Sequence, residues 1–183
     1  ILALLVATVQ GVVPLVGAAR RDATLMAFAR PAAITQFALV ALAFGCLAAS
    51  FLLSDFSVAN VAQNSFSALP APYKLAASWG SHEGSLLLWA LMLGGWSCAV
   101  ALRSKNLPAP MLARVLAVMG LVAVGFLLFL LLTSNPFERL VPAAPQGPDL
   151  TPLPQDPALV LRPPPLCMRY VGFSVAFAFS IAA

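Results

Sequence analysis

Charge is scarce in this sequence. Only 9% of its 183 residues are Asp, Glu, Lys or Arg, whereas 61% are hydrophobic, and the mean hydropathy is +0.95. A globular protein in water needs a charged surface, so this composition excludes an ordinary soluble domain. The solvent around most of the chain is therefore expected to be lipid.

Residues that bind metals or carry redox chemistry are also few. The chain has one histidine, His82, and three scattered cysteines, Cys46, Cys98 and Cys167, with no CxxC pair. We therefore predict no metal site and expect the thiols to be buried among apolar side chains. An HExxH zinc site is excluded as well, because Leu86 stands where its second histidine is required.

Long apolar runs, by contrast, are abundant. A helix needs about 20 mostly apolar residues to cross the hydrocarbon of a bilayer. The runs predict an all-α, polytopic transmembrane bundle of four full helices and the start of a fifth, at about 1–19, 31–54, 84–102, 115–134 and 168–183. The first residue is not Met and the last residues fall inside the fifth run, so both ends are expected to be truncated.

A secretory signal peptide is the alternative interpretation of the first run, because Gly17-Ala18-Ala19 resembles a cleavage site. The run is too long for a signal peptide, and basic residues follow it rather than precede it. Two short connections hold most of the basic residues, and the positive-inside rule predicts that both are cytoplasmic: Arg20, Arg21 and Arg30 in one, Arg103, Lys105 and Arg114 in the other. The N-terminus is then outside, and the net charge of +4 reflects topology, with no nucleic-acid partner expected.

Two long segments, 54–83 and 133–168, are predicted to be outward loops. Asp55 to Phe66 is a candidate for a short helix lying on the membrane, with an apolar face formed by Phe56, Val58, Val61 and Ala62. The second loop is rich in proline and is expected to be mainly irregular.

The densest group of polar and aromatic residues is Trp79 to Trp89, where the first long loop enters the third run. Ser81 is predicted to cap that helix, and Glu83 to complement its dipole. Trp89 and Trp96 share one face, which favours interfacial anchoring and helix packing. His82 has a structural interpretation as a hydrogen-bonded residue, and a functional one in which it and the tryptophans contact a flat aromatic cofactor at the outer leaflet.

Residues 79–89 resemble the signature of the CcmF/NrfE family of cytochrome c biogenesis proteins, in the positions Trp79, Gly80, His82, Glu83, Gly84, Ser85 and Trp89. Further stretches resemble the family in the same order: 55–58, 67–70, 133–140, 155–157 and 170–177. The resemblance covers essentially the whole chain and corresponds to the N-terminal part of these membrane haem lyases.

The resemblance implies a function in cytochrome c maturation, namely haem delivery and attachment to apocytochrome c. It implies a b-type haem in the complete protein and none in this fragment, which lacks the family's tryptophan-rich WWD-type segment. The implied partners are a CcmE-type haem chaperone, apocytochrome c and thiol-handling maturation subunits. The implied location is the bacterial inner membrane, with the long loops facing the periplasm. Two alternatives stay open: a non-catalytic assembly scaffold for these partners, and a component of a haem transporter.

One departure from the family pattern concerns haem itself. Arg162 occupies the position of the histidine that serves the family as an axial haem ligand. A guanidinium stays protonated and offers no lone pair to iron, so Arg162 is not expected to ligate haem.

Overall fold

The structure is a computed structural model that describes residues 1–104, 106–142 and 163–182. Helices account for most of these residues, and the described ranges contain no strand beyond one isolated bridge. In chain order the helices are α1 (Leu2–Arg20), α2 (Ala23–Ala27), α3 (Ala29–Leu52), α4 (Ala59–Asn64), α5 (Ala71–Gly80), α6 (His82–Arg103), α7 (Ala109–Thr133) and α8 (Pro163–Ala182).

Five spans in the described residues are long and apolar enough to cross a membrane. They are α1, α6, α7, α8 and the nearly continuous pair α2–α3, which together cover 30 residues. The predicted all-α transmembrane bundle is therefore confirmed. The side of the membrane on which the N-terminus lies stays a prediction.

Two helices begin well before the start that the apolar runs predicted, whereas α3 and α6 begin only slightly earlier. α7 starts at Ala109 rather than at 115, because Pro110 fits the first turn and Arg114 lies exposed on the helix surface. α8 starts at Pro163 rather than at 168, so the fifth span has 20 residues and is longer than the expected beginning of a helix. The three prolines occupy its first turn, where no N–H is needed for an intrahelical bond.

The first long segment, predicted over 54–83 as an outward loop with one candidate short helix, is largely helical. It contains α4 and α5. The expected membrane-surface helix is also wrong in its environment, because Val58, Val61 and Ala62 are buried and Phe56 packs against the protein core. An apolar face gains the same shielding from water against other helices as against lipid, so the pattern alone did not distinguish the two.

The interior of the bundle is built around the antiparallel pair α1 and α7. Their backbones meet at two glycines, since a Cβ added to Gly120 would lie 2.9 Å from the backbone nitrogen of Gly11. A Cβ on Gly11 would in turn lie 2.8 Å from a methyl carbon of Leu121. In lipid no hydrophobic effect drives helices together, and small residues allow the close backbone contact that replaces it.

One polar side chain crosses this interior. The Gln10 amide nitrogen donates to Ser97 Oγ at 3.0 Å and to the Leu116 carbonyl at 2.9 Å, and its side chain is fully buried. Gln10 therefore joins α1, α6 and α7. This contact was not predicted from the sequence, because glutamine is not ionisable and the first apolar run continues through Gln10 without interruption.

Candidate functional site at the loop end

The bundle has two chemically different ends. At one end, called here the loop end, α3 finishes, α6 and α8 begin, and α4 and α5 lie. At the other, called the basic end, α1 passes into α2 and α6 passes into α7. Five of the seven described arginines lie at the basic end: Arg20, Arg21, Arg30, Arg103 and Arg114. The other two, Arg139 and Arg169, lie toward the loop end.

The segment 79–89 contains the junction between α5 and α6 at the loop end. A single residue, Ser81, separates α5 from α6, and its hydroxyl oxygen accepts a hydrogen bond from the Gly84 N–H at 3.1 Å. The hydroxyl of Ser85 donates back to the Trp79 carbonyl at 2.7 Å. The predicted cap by Ser81 and the placement of Glu83 in the first turn of α6 are both confirmed.

Gly84 is the position at which the two helices touch. A Cβ built on it would fall on the carbonyl oxygen of Ser78, near the end of α5. At Gly80, by contrast, a Cβ would meet nothing within 4 Å. Of the two signature glycines, therefore, only Gly84 is required by the packing of the junction.

His82 is the first residue of α6 and is exposed to solvent. No hydrogen bond connects its ring to any other described residue. The neighbouring Gly80 is exposed too, while Trp79 and Glu83 are half-buried. The signature residues thus fall into two groups. Gly84 and Ser85 make the contacts of the junction, whereas Gly80 and His82 are exposed at its surface.

Two of the three tryptophans contact α8. The indole nitrogen of Trp89 lies 2.8 Å from Cys167 Sγ, and that of Trp96 donates to the Met168 carbonyl at 3.1 Å. The Trp89 ring also lies 6.2 Å, centroid to centroid, from Phe126 of α7. Both indoles are therefore used in packing, which agrees with their structural interpretation and leaves their N–H groups unavailable to a cofactor.

The cysteines do not share one environment. Cys167 is buried, Cys98 is half-buried and Cys46 is exposed on the outside of the bundle. The expectation of burial is therefore wrong for Cys46, because a residue facing lipid needs no protein cover to avoid water.

The two long segments pair with each other at the loop end. The N–H of Ala59 donates to the Glu138 carbonyl at 2.8 Å, and that of Leu140 donates to the Ser57 carbonyl at 2.9 Å. These bonds form an antiparallel bridge between Val58 and Arg139. Parts of the chain about 80 residues apart thus form one continuous surface.

The Asp55 carboxylate holds Ser57 on one side of this pairing. It accepts from the Ser57 hydroxyl at 2.6 Å and from the Ser57 N–H at 3.2 Å. These hydrogen bonds, with a smaller contribution from the positive charge of Arg139, lower the pKa of the carboxyl below its ordinary value of 3.8. Nearby, Lys74 of α5 donates to Ser54 Oγ at 2.6 Å and connects α5 to the end of α3.

The described residues do not form a complete haem site by themselves. They supply one imidazole, that of His82, and no group of three His, Cys, Asp or Glu side chains that could hold a metal. Arg162, which the resemblance assigned to the family's ligand position, lies outside the described residues.

A bundle of five apolar helices long enough to cross a bilayer defines a multi-pass membrane protein. Residues 79–183 match the family described as cytochrome C assembly protein, and the chain belongs to that family. The match begins at Trp79, the first residue of the junction signature.

Relatives match over the whole chain. It is 64% identical to the cytochrome c-type biogenesis protein CcmF of Pseudomonas aeruginosa and 55% identical to that of Escherichia coli, covering 100% of this chain and 28% of each relative. It is 47% identical to the probable biogenesis protein NrfE of Escherichia coli over 82% of this chain and 27% of that protein. A solved structure titled cytochrome c heme lyase CcmF superposes with a TM-score of 0.83 at 26% identity, covering 99% of this chain and 28% of the other. The chain thus spans little more than a quarter of the length of these relatives.

Proposed function

We propose that this chain is part of a membrane haem lyase of cytochrome c maturation. The whole enzyme would attach haem to apocytochrome c through thioether bonds between the haem vinyl groups and the cysteines of a CxxCH motif. The observation that carries the proposal is the junction signature 79–89, which lies within the family match and presents Gly80 and His82 at the surface.

Within that enzyme, we assign the loop end a partner-binding role. A polar surface is available there for such a partner. It consists of the paired segments around Ser57 and Arg139 and the exposed side of the junction. Its proposed partners are a CcmE-type haem chaperone, apocytochrome c and thiol-handling maturation subunits. A b-type haem in the complete protein would require ligands beyond the described residues, because these supply His82 alone as an imidazole.

We place the protein in the bacterial inner membrane with its N-terminus and loop end in the periplasm. The arginines of the basic end support this orientation, since cytoplasmic connections are enriched in Lys and Arg. Apocytochrome would then meet the protein on the side where the long segments lie.

The test is complementation in a bacterium that lacks its own haem lyase. The full gene product should restore c-type cytochromes that retain haem on a denaturing gel, and in detergent it should absorb as a b-type haem protein. His82→Ala separates the two interpretations of that residue. Unchanged haem absorbance supports the structural interpretation, and loss of absorbance with retained folding supports the cofactor-contact interpretation.

A scaffold without haem chemistry is the second candidate, and the pairing of Ser57 with Leu140 favours it. A full gene product that co-purifies with apocytochrome but neither binds haem nor restores haem-stained cytochromes would support the scaffold and contradict the lyase. Haem transport has no observation in its favour among the described residues.

A further inference from the structure

A cavity of about 370 Å³ lies at the basic end of the bundle. One wall comes from α2 and the start of α3, and the other from the residues that lead into α7 and from its first turn. Its size falls within the ~300–1,000 Å³ typical of sites for small ligands. Because membrane-spanning helices meet their connections here, we expect the cavity to lie at the boundary between hydrocarbon and water.

The walls of the cavity are apolar apart from one residue. Alanine, methionine and leucine side chains form them, among them Ala27, Met26, Leu107 and Leu112. Arg30 is the single charged residue in the lining. A cavity of this kind pairs hydrocarbon contacts with one site of positive charge.

The Arg30 guanidinium has hydrogen-bonding capacity to spare. One of its N–H groups donates to the Ser104 carbonyl at 3.2 Å, which holds the side chain across the cavity between the two connections. Among the described residues, no carboxylate forms an ion pair with it. Asp22, the acid closest to Arg30 in the sequence, is not in the lining, and its Oδ1 caps α2 by accepting from the N–H groups of Thr24 and Leu25.

We propose that this cavity binds an anionic phospholipid, with its phosphate on Arg30 and the upper part of an acyl chain against the apolar walls. A guanidinium matches phosphate geometry with paired N–H groups, and basic pockets between membrane helices are suited to anionic headgroups. The apolar lining selects a lipid over a free anion, because inorganic phosphate gains nothing from alanine and leucine walls. This inference does not depend on the proposed haem lyase function.

The experiment uses the full gene product in detergent micelles that contain equal amounts of phosphatidylglycerol and phosphatidylcholine with identical acyl chains. Native mass spectrometry counts the lipid of each type that stays bound. The wild type should retain phosphatidylglycerol preferentially, and Arg30→Gln should reduce that preference about tenfold. The matched control is Arg114→Gln, which removes an exposed arginine from the same end outside the cavity and should leave the preference within about twofold.

A second variant separates the contribution of the cavity to lipid binding from that of the Arg30 charge. Ala27→Leu fills the cavity while keeping every charge, and it should also reduce phosphatidylglycerol retention. Thermal unfolding without added lipid checks that each variant is folded. Equal retention of the two lipids by the wild type, or equal losses in Arg30→Gln and Arg114→Gln, would overturn the proposal. So would displacement of phosphatidylglycerol by excess inorganic phosphate combined with unchanged binding in Ala27→Leu, because that result identifies a site for free phosphate.

Discussion

The membrane interior and the loop end of this protein are held together in different ways. In the interior, α1 and α7 meet backbone to backbone at Gly11 and Gly120, with the Gln10 amide as a cross-link. At the loop end, backbone hydrogen bonds connect segments that are distant in sequence, and the Asp55 carboxylate holds Ser57 beside them. The difference follows from the solvent. In lipid, helices associate through close packing of small residues, whereas in water hydrogen bonds between polar groups hold the loops in place.

The largest effect on stability is expected at Gly84, because its backbone lies against the Ser78 carbonyl at the loop end. Gly84→Ala places a Cβ on the Ser78 carbonyl, so we expect a loss of about 2–4 kcal/mol in the free energy of unfolding. The measurement is thermal unfolding of the full gene product in detergent. Gly80→Ala is the control, because its Cβ meets open space and should change stability by less than about 1 kcal/mol. Equal destabilisation by both substitutions would contradict the close approach at Gly84.

In the interior, Gly120→Ala tests the corresponding contact between α1 and α7. The added methyl would press on the Gly11 backbone and should cost about 1–3 kcal/mol in the free energy of unfolding. Gly125→Ala lies five residues further along α7 with nothing within 4 Å, and should be neutral or slightly stabilising. If both α7 variants unfold alike, backbone packing does not hold this interface.

Two buried glutamines, Gln10 and Gln36, test whether polar contacts stabilise the interior. Gln10→Leu removes two hydrogen bonds and should destabilise by about 1 kcal/mol, the magnitude typical of polar contacts between membrane helices. Gln36 is equally buried, yet neither of its amide atoms has a hydrogen-bond partner. Gln36→Leu should therefore leave stability unchanged or raise it by roughly 1 kcal/mol. Detergent unfolding of the two variants side by side checks the opposite signs, and a loss at Gln36 as large as that at Gln10 would refute them.

The smallest effect is a pH dependence confined to the loop end. The folded state lowers the pKa of Asp55, so its stabilising contribution is fully present above the ordinary value of 3.8 and is lost as the pH falls through the lowered pKa. We expect the accessibility of the Ser57–Leu140 pairing to proteases to rise in that acidic range. Asp55→Asn should abolish this part of the pH dependence, while the interior contacts at Gln10 should not respond. A pH profile that Asp55→Asn leaves unchanged would count against the role of this carboxylate.

The sequence was most informative where a single physical rule dominates. Apolar runs of sufficient length identified the spans, and Ser81 was recognised as a cap because serine is favoured at that position. The start of α8 was missed because three successive prolines suggest irregular structure, although in a first helical turn their missing N–H groups cost nothing.

The remainder required three-dimensional information. Tertiary packing sets which residues come close together. Examples are the contact of Gly84 with Ser78, the contact of Gly11 with Gly120 and the hydrogen bonds that Gln10 donates. The pairing of Ser57 with Leu140 likewise joins two segments that the sequence treated as separate loops. Residue types alone do not specify which residues of two distant segments face each other.

The central claim is that the loop end lies outside and the basic end inside. Cysteine labelling in intact bacteria tests this most directly, with a variant of the full gene product in which all native cysteines, Cys46, Cys98 and Cys167 among them, are replaced and a single cysteine stands at position 80 or 106. Both positions are exposed and lie at opposite ends of the bundle. The account predicts that a membrane-impermeant maleimide labels Gly80→Cys in intact cells and labels Asn106→Cys only after the inner membrane is permeabilised. The reverse pattern would contradict it.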